Sequence, residues 1–186
     1  PPGHHAEHDR SMGFCLINSV ATAAKYALER HGLERVAIVD FDVHHGNGTE
    51  DIVSGDERIL MVSIFQHPFY PHSGANSMGS NIVNLPVPAY TKGAVVREMI
   101  EHSWIPRLET FKPQMIFISA GFDAHKDDDL GQLGLVEQDY AWMTARIKDI
   151  AKRHANGRIV SCLEGGYNLN ALARSVEAHV RVLADL

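Results

Sequence analysis

The residues that could do chemistry gather first in Val36–Gly48, V-A-I-V-D-F-D-V-H-H-G-N-G. Asp40, Asp42 and His44 alternate there. Alternate residues of a strand share a face, so the spacing predicts that the three side chains project the same way. A carboxylate and an imidazole two residues apart on one face suit zinc or another divalent ion. Taken alone, D-x-H is more often a solvated turn than a ligand set. Two further apolar runs change that balance. Met115–Ser119 leads into Ala120-Gly121-Phe122-Asp123-Ala124-His125, and Arg158–Leu163 leads into Glu164-Gly165-Gly166-Tyr167-Asn168. Each polar end sits beside glycine, as close backbone approach to a site requires. One histidine and two aspartates give three protein ligands, the number that leaves a zinc position open for water or substrate.

The elements that must position these groups alternate in type. Val36–Val39, Ile59–Ile64, Met115–Ser119 and Arg158–Leu163 are short apolar runs, the pattern of strands buried on both faces of a parallel sheet. Helices are expected over Cys15–Arg30, ending at Gly32, and over Gly93–Phe111, kinked or split at Pro106. Two more are expected from Val136 to His154 and from Leu169 to Leu186. Gln66–Asn81 reads as a long loop, with Phe69 and Tyr70 as candidate pocket walls. Asn81–Pro88 reads as an edge or irregular extended segment because of Pro86 and Pro88. Alternation of strand and helix predicts an α/β fold, a mostly parallel sheet with helices on both faces. Ligands bind such sheets outside the carboxyl ends of the strands, where Asp42, His44, Asp123 and Tyr167 fall.

Composition narrows the function. The 186 residues are 45% hydrophobic and 22% charged with a formal net charge of −6, which argues against a nucleic-acid binder. No apolar run approaches a membrane span and no signal peptide opens the chain, so a cytoplasmic setting, or a nuclear one in a eukaryote, is expected. Cys15 and Cys162 are expected to be reduced thiols. Of the twelve histidines, His31, His102, His154 and His179 lie on or beside expected helices and read as solvated. His67, His72 and His125 fall near the expected mouth without an assignment.

P-P-G-H-H-A (1–6), G-F-C (13–15), D-F-D-V-H-H-G-N-G (40–48), G-F-D-A (121–124) and E-G-G-Y-N (164–168) together resemble the zinc-dependent histone deacetylase family. The last motif is similar to the class II branch and its bacterial relatives. The resemblance runs over essentially the whole chain and implies an arginase/deacetylase-like fold. It implies zinc on Asp42, His44 and Asp123, His4 and His5 as acid–base residues paired with Asp40 and Asn47, and Tyr167 as the hydroxyl that polarises the carbonyl. Gly13, Phe14 and Tyr70 match positions flanking an acyl-lysine tunnel, and Leu130 matches its rim. It further implies a structural monovalent cation, K⁺ or Na⁺, held by Asp40, Asp42, His44 and Ser63, partly through main-chain oxygens. His45 matches a supporting position behind the metal.

That resemblance assigns different states to the tandem histidines. A carboxylate partner favours imidazolium, so His4 beside Asp40 should be charged. His5 beside the neutral amide of Asn47 should be the general base and then the acid. The family's domain is longer, so the chain is expected to be the C-terminal portion of one catalytic domain over 1–186, with an incomplete sheet. Asp129 stands where class II relatives carry Pro, which alters the rim. Expected partners are an acetyl-lysine protein or peptide, or a small acetylated amine such as an acetylpolyamine. No nucleic acid or membrane is expected, and assembly into a homo-oligomer is left open. Two other readings compete. A binuclear manganese ureohydrolase would need more bridging carboxylates and leaves the tandem histidines and Gly-Gly-Tyr unused. A non-catalytic fragment that binds metal or a partner would expose a large apolar patch.

Overall fold

The structure is a computed structural model and describes residues 1–186. In chain order the elements are α1 Ser19–His31, β1 Val36–Asp40, α2 Asn47–Val53, β2 Ile59–Gln66 and β3 Ile82–Val87, then α3 Gly93–Phe111, β4 Met115–Ala120, α4 Glu137–His154, β5 Ile159–Leu163 and α5 Leu169–Leu183. The five strands form one sheet in the order β3-β2-β1-β4-β5, and every neighbouring pair is parallel. The expected α/β fold is therefore the observed one.

The period of two along each strand divides the core. Val36, Ile38, Ile59, Met61 and Phe117 pack with Val20, Ala21, Ala24, Ala27 and Leu28 of α1 on one face. Ala37, Val39, Leu60, Val62, Ile116 and Ile118 face the other way, onto Val96, Ile100 and Trp104 of α3 and Met143 and Ile147 of α4. Each of these strand residues is at most 2% exposed. Burying an Ile or Leu side chain this fully stabilises by about 1.5–3 kcal/mol. A continuous apolar run is thus what a strand covered on both faces needs.

Several boundaries differ from expectation for local reasons. β1 stops at Asp40. Asp42 N–H donates to Asp40 Oδ1 at 3.1 Å and His44 N–H to Asp42 Oδ1 at 2.8 Å, so the aspartates capture the backbone and end the ladder. Asp42 and His44 therefore lie beyond the strand, and no pleat aligns them. α1 starts at Ser19, after Asn18 Oδ1 accepts from Ala21 N–H at 2.9 Å, and ends where Gly32 turns left-handed at φ 65°. α3 runs unbroken through Pro106. β5 is not buried. It pairs only with β4, and Val160 and Leu163 are 38% and 53% exposed.

His179 is not solvated either. It is 3% exposed and bridges Thr144 Oγ1 at 2.7 Å and Ser161 Oγ at 2.9 Å, because α5 lays this face over α4 and β5. His154 is also half-covered, 2.7 Å from Glu109 Oε2, whereas His31 and His102 are exposed as expected. No helix is long and apolar enough to cross a membrane, and both cysteines are free.

Candidate metal centre and cavity

Parallel pairing puts the carboxyl ends of β1, β4 and β5 side by side. Asp40 is in register with Ser119, and Ala120 with Leu163. The segments that follow carry Asp42 and His44, then Asp123, then Tyr167. Asp42, His44 and Asp123 each offer one ligand atom, and these atoms lie within 4.8 Å of one another. His44 Nδ1 is 3.0 Å from Asp42 Oδ1 and 3.2 Å from Asp123 Oδ2. The remaining oxygens are occupied: Gly165 N–H donates to Asp42 Oδ2 at 2.8 Å and Val43 N–H to Asp123 Oδ1 at 2.9 Å. Gly165 has no alternative residue, since a Cβ there would overlap both Asp123 Oδ2 and Asp42 Oδ2.

The electrostatics fit a cation. Burial, then the neighbouring charge of Asp42, pushes Asp123 up to about 7. Burial acts against the charged form of His44 too, but bonds to Asp123 and Asp42 prevail and raise it to about 10. The His44 imidazole thus lies between two buried carboxylates. Asp123 Oδ2 is fully buried and faces His44 Nδ1 at 3.2 Å without a well-aligned hydrogen bond. A poorly satisfied carboxylate oxygen, a second carboxylate and an imidazole converging on one point could hold a divalent metal such as zinc.

The tandem histidines lie alongside. His4 Nδ1 meets Asp40 Oδ2 at 2.9 Å, and its Nε2 is 3.7 Å from Asp42 Oδ1. Burial opposes its charge, yet Asp40 and Asp42 outweigh burial and raise His4 well above the usual histidine range. His5 Nδ1 is 2.7 Å from Asn47 Oδ1. Burial, then the charge of His4, lowers His5 to about 3. Both shifts run in the direction expected of the two partners' charges. Two carboxylates that the sequence did not single out complete this corner. Glu164 Oε2 accepts from Gly3 N–H at 2.6 Å and His4 N–H at 3.0 Å, while its Oε1 accepts from Ser119 Oγ at 2.8 Å. Glu7 Oε1 accepts from Asn47 Nδ2 at 2.7 Å. Glu164 opens the E-G-G-Y-N motif and could have been flagged there. Glu7 carries no signal beyond its nearness to His5.

Over this floor stands a cavity of about 470 Å³. His5 and His44 form its base, and Phe14, Phe69, Tyr70 and Tyr167 its aromatic walls. Phe69 stacks on His44 with ring centroids 5.3 Å apart, and Phe14 faces Tyr167 at 6.4 Å. Gly13, Asp129 and Leu130 finish the wall, and Leu130 is 44% exposed. Gly13 sits at φ 55°, where a Cβ would strike the His5 ring. Burial, then the charges of Asp123 and Asp42, pushes the Tyr167 hydroxyl upward, so it stays a donor. Ser63 Oγ, buried and in register with Asp40, has no partner.

Other histidines fall elsewhere. His45 pairs with Glu50 and Ser73 and touches none of the three clustered ligands. It holds the 67–81 loop instead. His125 is fully buried, with Asp127 N–H donating to its Nδ1 at 3.1 Å. His67 and His72 do not line the cavity.

A family profile described as histone deacetylase domain matches residues 1–183. Type-2 histone deacetylase 2 of Dictyostelium discoideum is 45% identical over 207 residues, which cover 100% of this chain and 12% of that protein. A histone deacetylase-like amidohydrolase of Pseudomonas aeruginosa is 41% identical over 175 residues, 90% of this chain and 46% of that one. Among solved structures, the HDA15 HD domain superposes with a TM-score of 0.93 at 37% identity, covering 100% of this chain and 54% of that chain. The chain thus spans about half the length of that domain structure and less of these two relatives.

Proposed function

The chain belongs to the histone deacetylase domain family, and from that premise we propose that it is a zinc-dependent hydrolase of the acetamide of acetyl-lysine. The observation that carries the reading is the cavity, whose base is His44 of the three-ligand cluster and neutral His5, and whose walls are aromatic. An aromatic slot of this kind takes the apolar stem of a lysine and excludes water from the amide at its end. Residues 1–186 act as one catalytic domain in this reading.

Asp42, His44 and Asp123 would hold zinc, which supplies Lewis acidity toward a carbonyl and toward water. The chain's own residues manage the protons. Asn47 Nδ2 donates to Glu7, so the amide oxygen faces His5. His5 Nδ1 is then the protonated nitrogen, and Nε2 is free to take a proton from the attacking water and return it to the leaving amine. His4, held as imidazolium by Asp40, offsets the negative charge that develops beside it. Tyr167 O–H donates to the oxyanion from the cavity wall. Asp40, Asp42, His44 and Ser63 would also hold a structural K⁺ or Na⁺, a role supported by the orphaned Ser63 hydroxyl.

A small acetylated amine is the second reading, favoured by the Asp129 carboxylate on the cavity wall. The test is turnover by the purified chain of an acetyl-lysine reporter peptide and of acetylspermidine, with metal content measured on the same sample. The peptide should show the higher kcat/KM. A zinc-loaded chain that turns over neither substrate would sink the enzymatic reading.

A further inference from the structure

Three consecutive aspartates, Asp127 to Asp129, form the loop beside the cavity, and the structure gives them three different employments. Asp127 is paired with Arg174 at 3.2 Å. Asp128 is buried at 6% exposure and is saturated by backbone: its Oδ1 accepts from Leu130 N–H at 2.9 Å, its Oδ2 from Tyr167 N–H at 2.7 Å and Asn168 N–H at 2.9 Å. Asp129 is exposed, takes part in no ion pair or hydrogen bond, and lines the cavity as its only wall carboxylate. The other two aspartates cannot serve a ligand without breaking what they hold. Asp128 also ties the backbone on either side of Asp129 to the Tyr167 segment, so the free carboxylate is mounted on a fixed loop.

We infer that Asp129 is a specificity-determining residue that selects substrates with a positive charge close to the acylated amine. The inference rests on the acyl-amine hydrolase reading above and assigns that site a substrate class. No lysine or arginine lines the cavity, so nothing on the wall competes for the carboxylate. The neighbouring wall residue, Leu130, is apolar and 44% exposed. An acyl stem entering between Phe14 and Tyr70 would therefore bring its flanking group to a rim with one free anion and one apolar contact. The occupant that satisfies both is an acyl-lysine peptide with Lys or Arg beside the modified residue, whose alkyl stem covers Leu130 while its cation meets Asp129. A distal ammonium of an acetylpolyamine offers the same cation without the peptide.

The test compares kcat/KM of the full chain on two acetyl-lysine peptides that differ only in a neighbouring Lys or Gln, and on acetylspermidine. An exposed pair of charges should favour the Lys peptide by about 2- to 5-fold near neutral pH. That ratio should shrink as ionic strength rises from about 0.05 M to about 0.5 M. In Asp129→Asn it should fall to about one and lose its salt dependence, whereas Asp127→Asn should retain the preference. A rank of acetylspermidine above the Lys peptide, abolished by Asp129→Asn, would overturn the peptide assignment and give the same carboxylate to polyamines. An equal Lys/Gln ratio in the wild-type chain, or a ratio unchanged in Asp129→Asn, would overturn the role of Asp129 while leaving the hydrolase reading intact. Absence of turnover on all three substrates would overturn both.

Discussion

His5 places its Nδ1 2.7 Å from Asn47 Oδ1, an acceptor without charge. One residue earlier, His4 makes the equivalent contact with the carboxylate of Asp40. The adjacent rings, 4.1 Å apart between centroids, are shifted in opposite directions: Asp40 and Asp42 outweigh burial and raise His4, whereas no carboxylate outweighs burial at His5. Burial, then the charge of His4, lowers His5, and the Asn47 amide only partly opposes them.

Asn47→Asp should undo that separation. A carboxylate at this position favours imidazolium and raises the His5 pKa from its low value. A base works only when neutral, so the acid limb of the kcat/KM profile should move to higher pH and activity near pH 6 should fall first. Profiles of both proteins, each at full metal content, check this. An unmoved acid limb would show that His5 is not the base.

Asp123→Ala should remove metal and turnover together. It deletes one of three converging ligand atoms and leaves Asp42 and His44 to hold the ion alone. Loss of one ligand of three should leave substoichiometric metal after dialysis, read by elemental analysis. Stoichiometric zinc in that variant would refute the ligand set.

Tyr167→Phe should keep the metal and slow catalysis. The ring still walls the cavity beside Phe14, while the hydroxyl that would donate to an oxyanion is gone. Loss of a lone donor costs about 10²-fold or more in kcat. An unchanged kcat would reduce Tyr167 to a wall residue.

His179 makes a prediction about stability. Burial lowers its imidazole to about 4 from 6.5. The unfolded chain therefore binds the proton first as pH falls. Stability linked to His179 is full above about 6.5 and is lost progressively toward 4. Fully developed, the loss is about 3 kcal/mol. Urea midpoints of the wild type and of His179→Gln, measured from pH 7 to pH 4, should converge as pH falls. Parallel curves would show that this histidine does not couple folding to protons.

Much of this candidate site is legible in the residues themselves because a metal centre and an acid–base pair would need particular side chains at particular places. The ends of β1 and β4 announce Asp42, His44 and Asp123 through apolar runs that stop at glycine-flanked acids. Asp42 and His44 are aligned by aspartates capping backbone N–H groups, not by the pleat of a strand. What stayed hidden depends on contacts distant in sequence. Nothing local distinguishes His179 from a surface histidine; Thr144 and Ser161 do, and they arrive from α4 and β5. The three aspartates at 127–129 likewise look interchangeable until Arg174 and the Tyr167 backbone claim two of them.

The Glu164 carboxylate has a consequence for biosynthesis. It binds the backbone of Gly3 and His4 across 161 and 160 residues, and the segment around those histidines has no helix or strand of its own. Ribosomes add about 5–20 residues per second, so the backbone of Gly3 and His4 waits on the order of 10–30 s for the carboxylate that clamps it. Asp40 and Asn47, which hold the two imidazoles, are made early, but the backbone clamp on Gly3 and His4 and the Gly165 N–H on Asp42 come only with the last strand's end, so a ribosome stalled before Glu164 should display a chain whose candidate site is still incomplete.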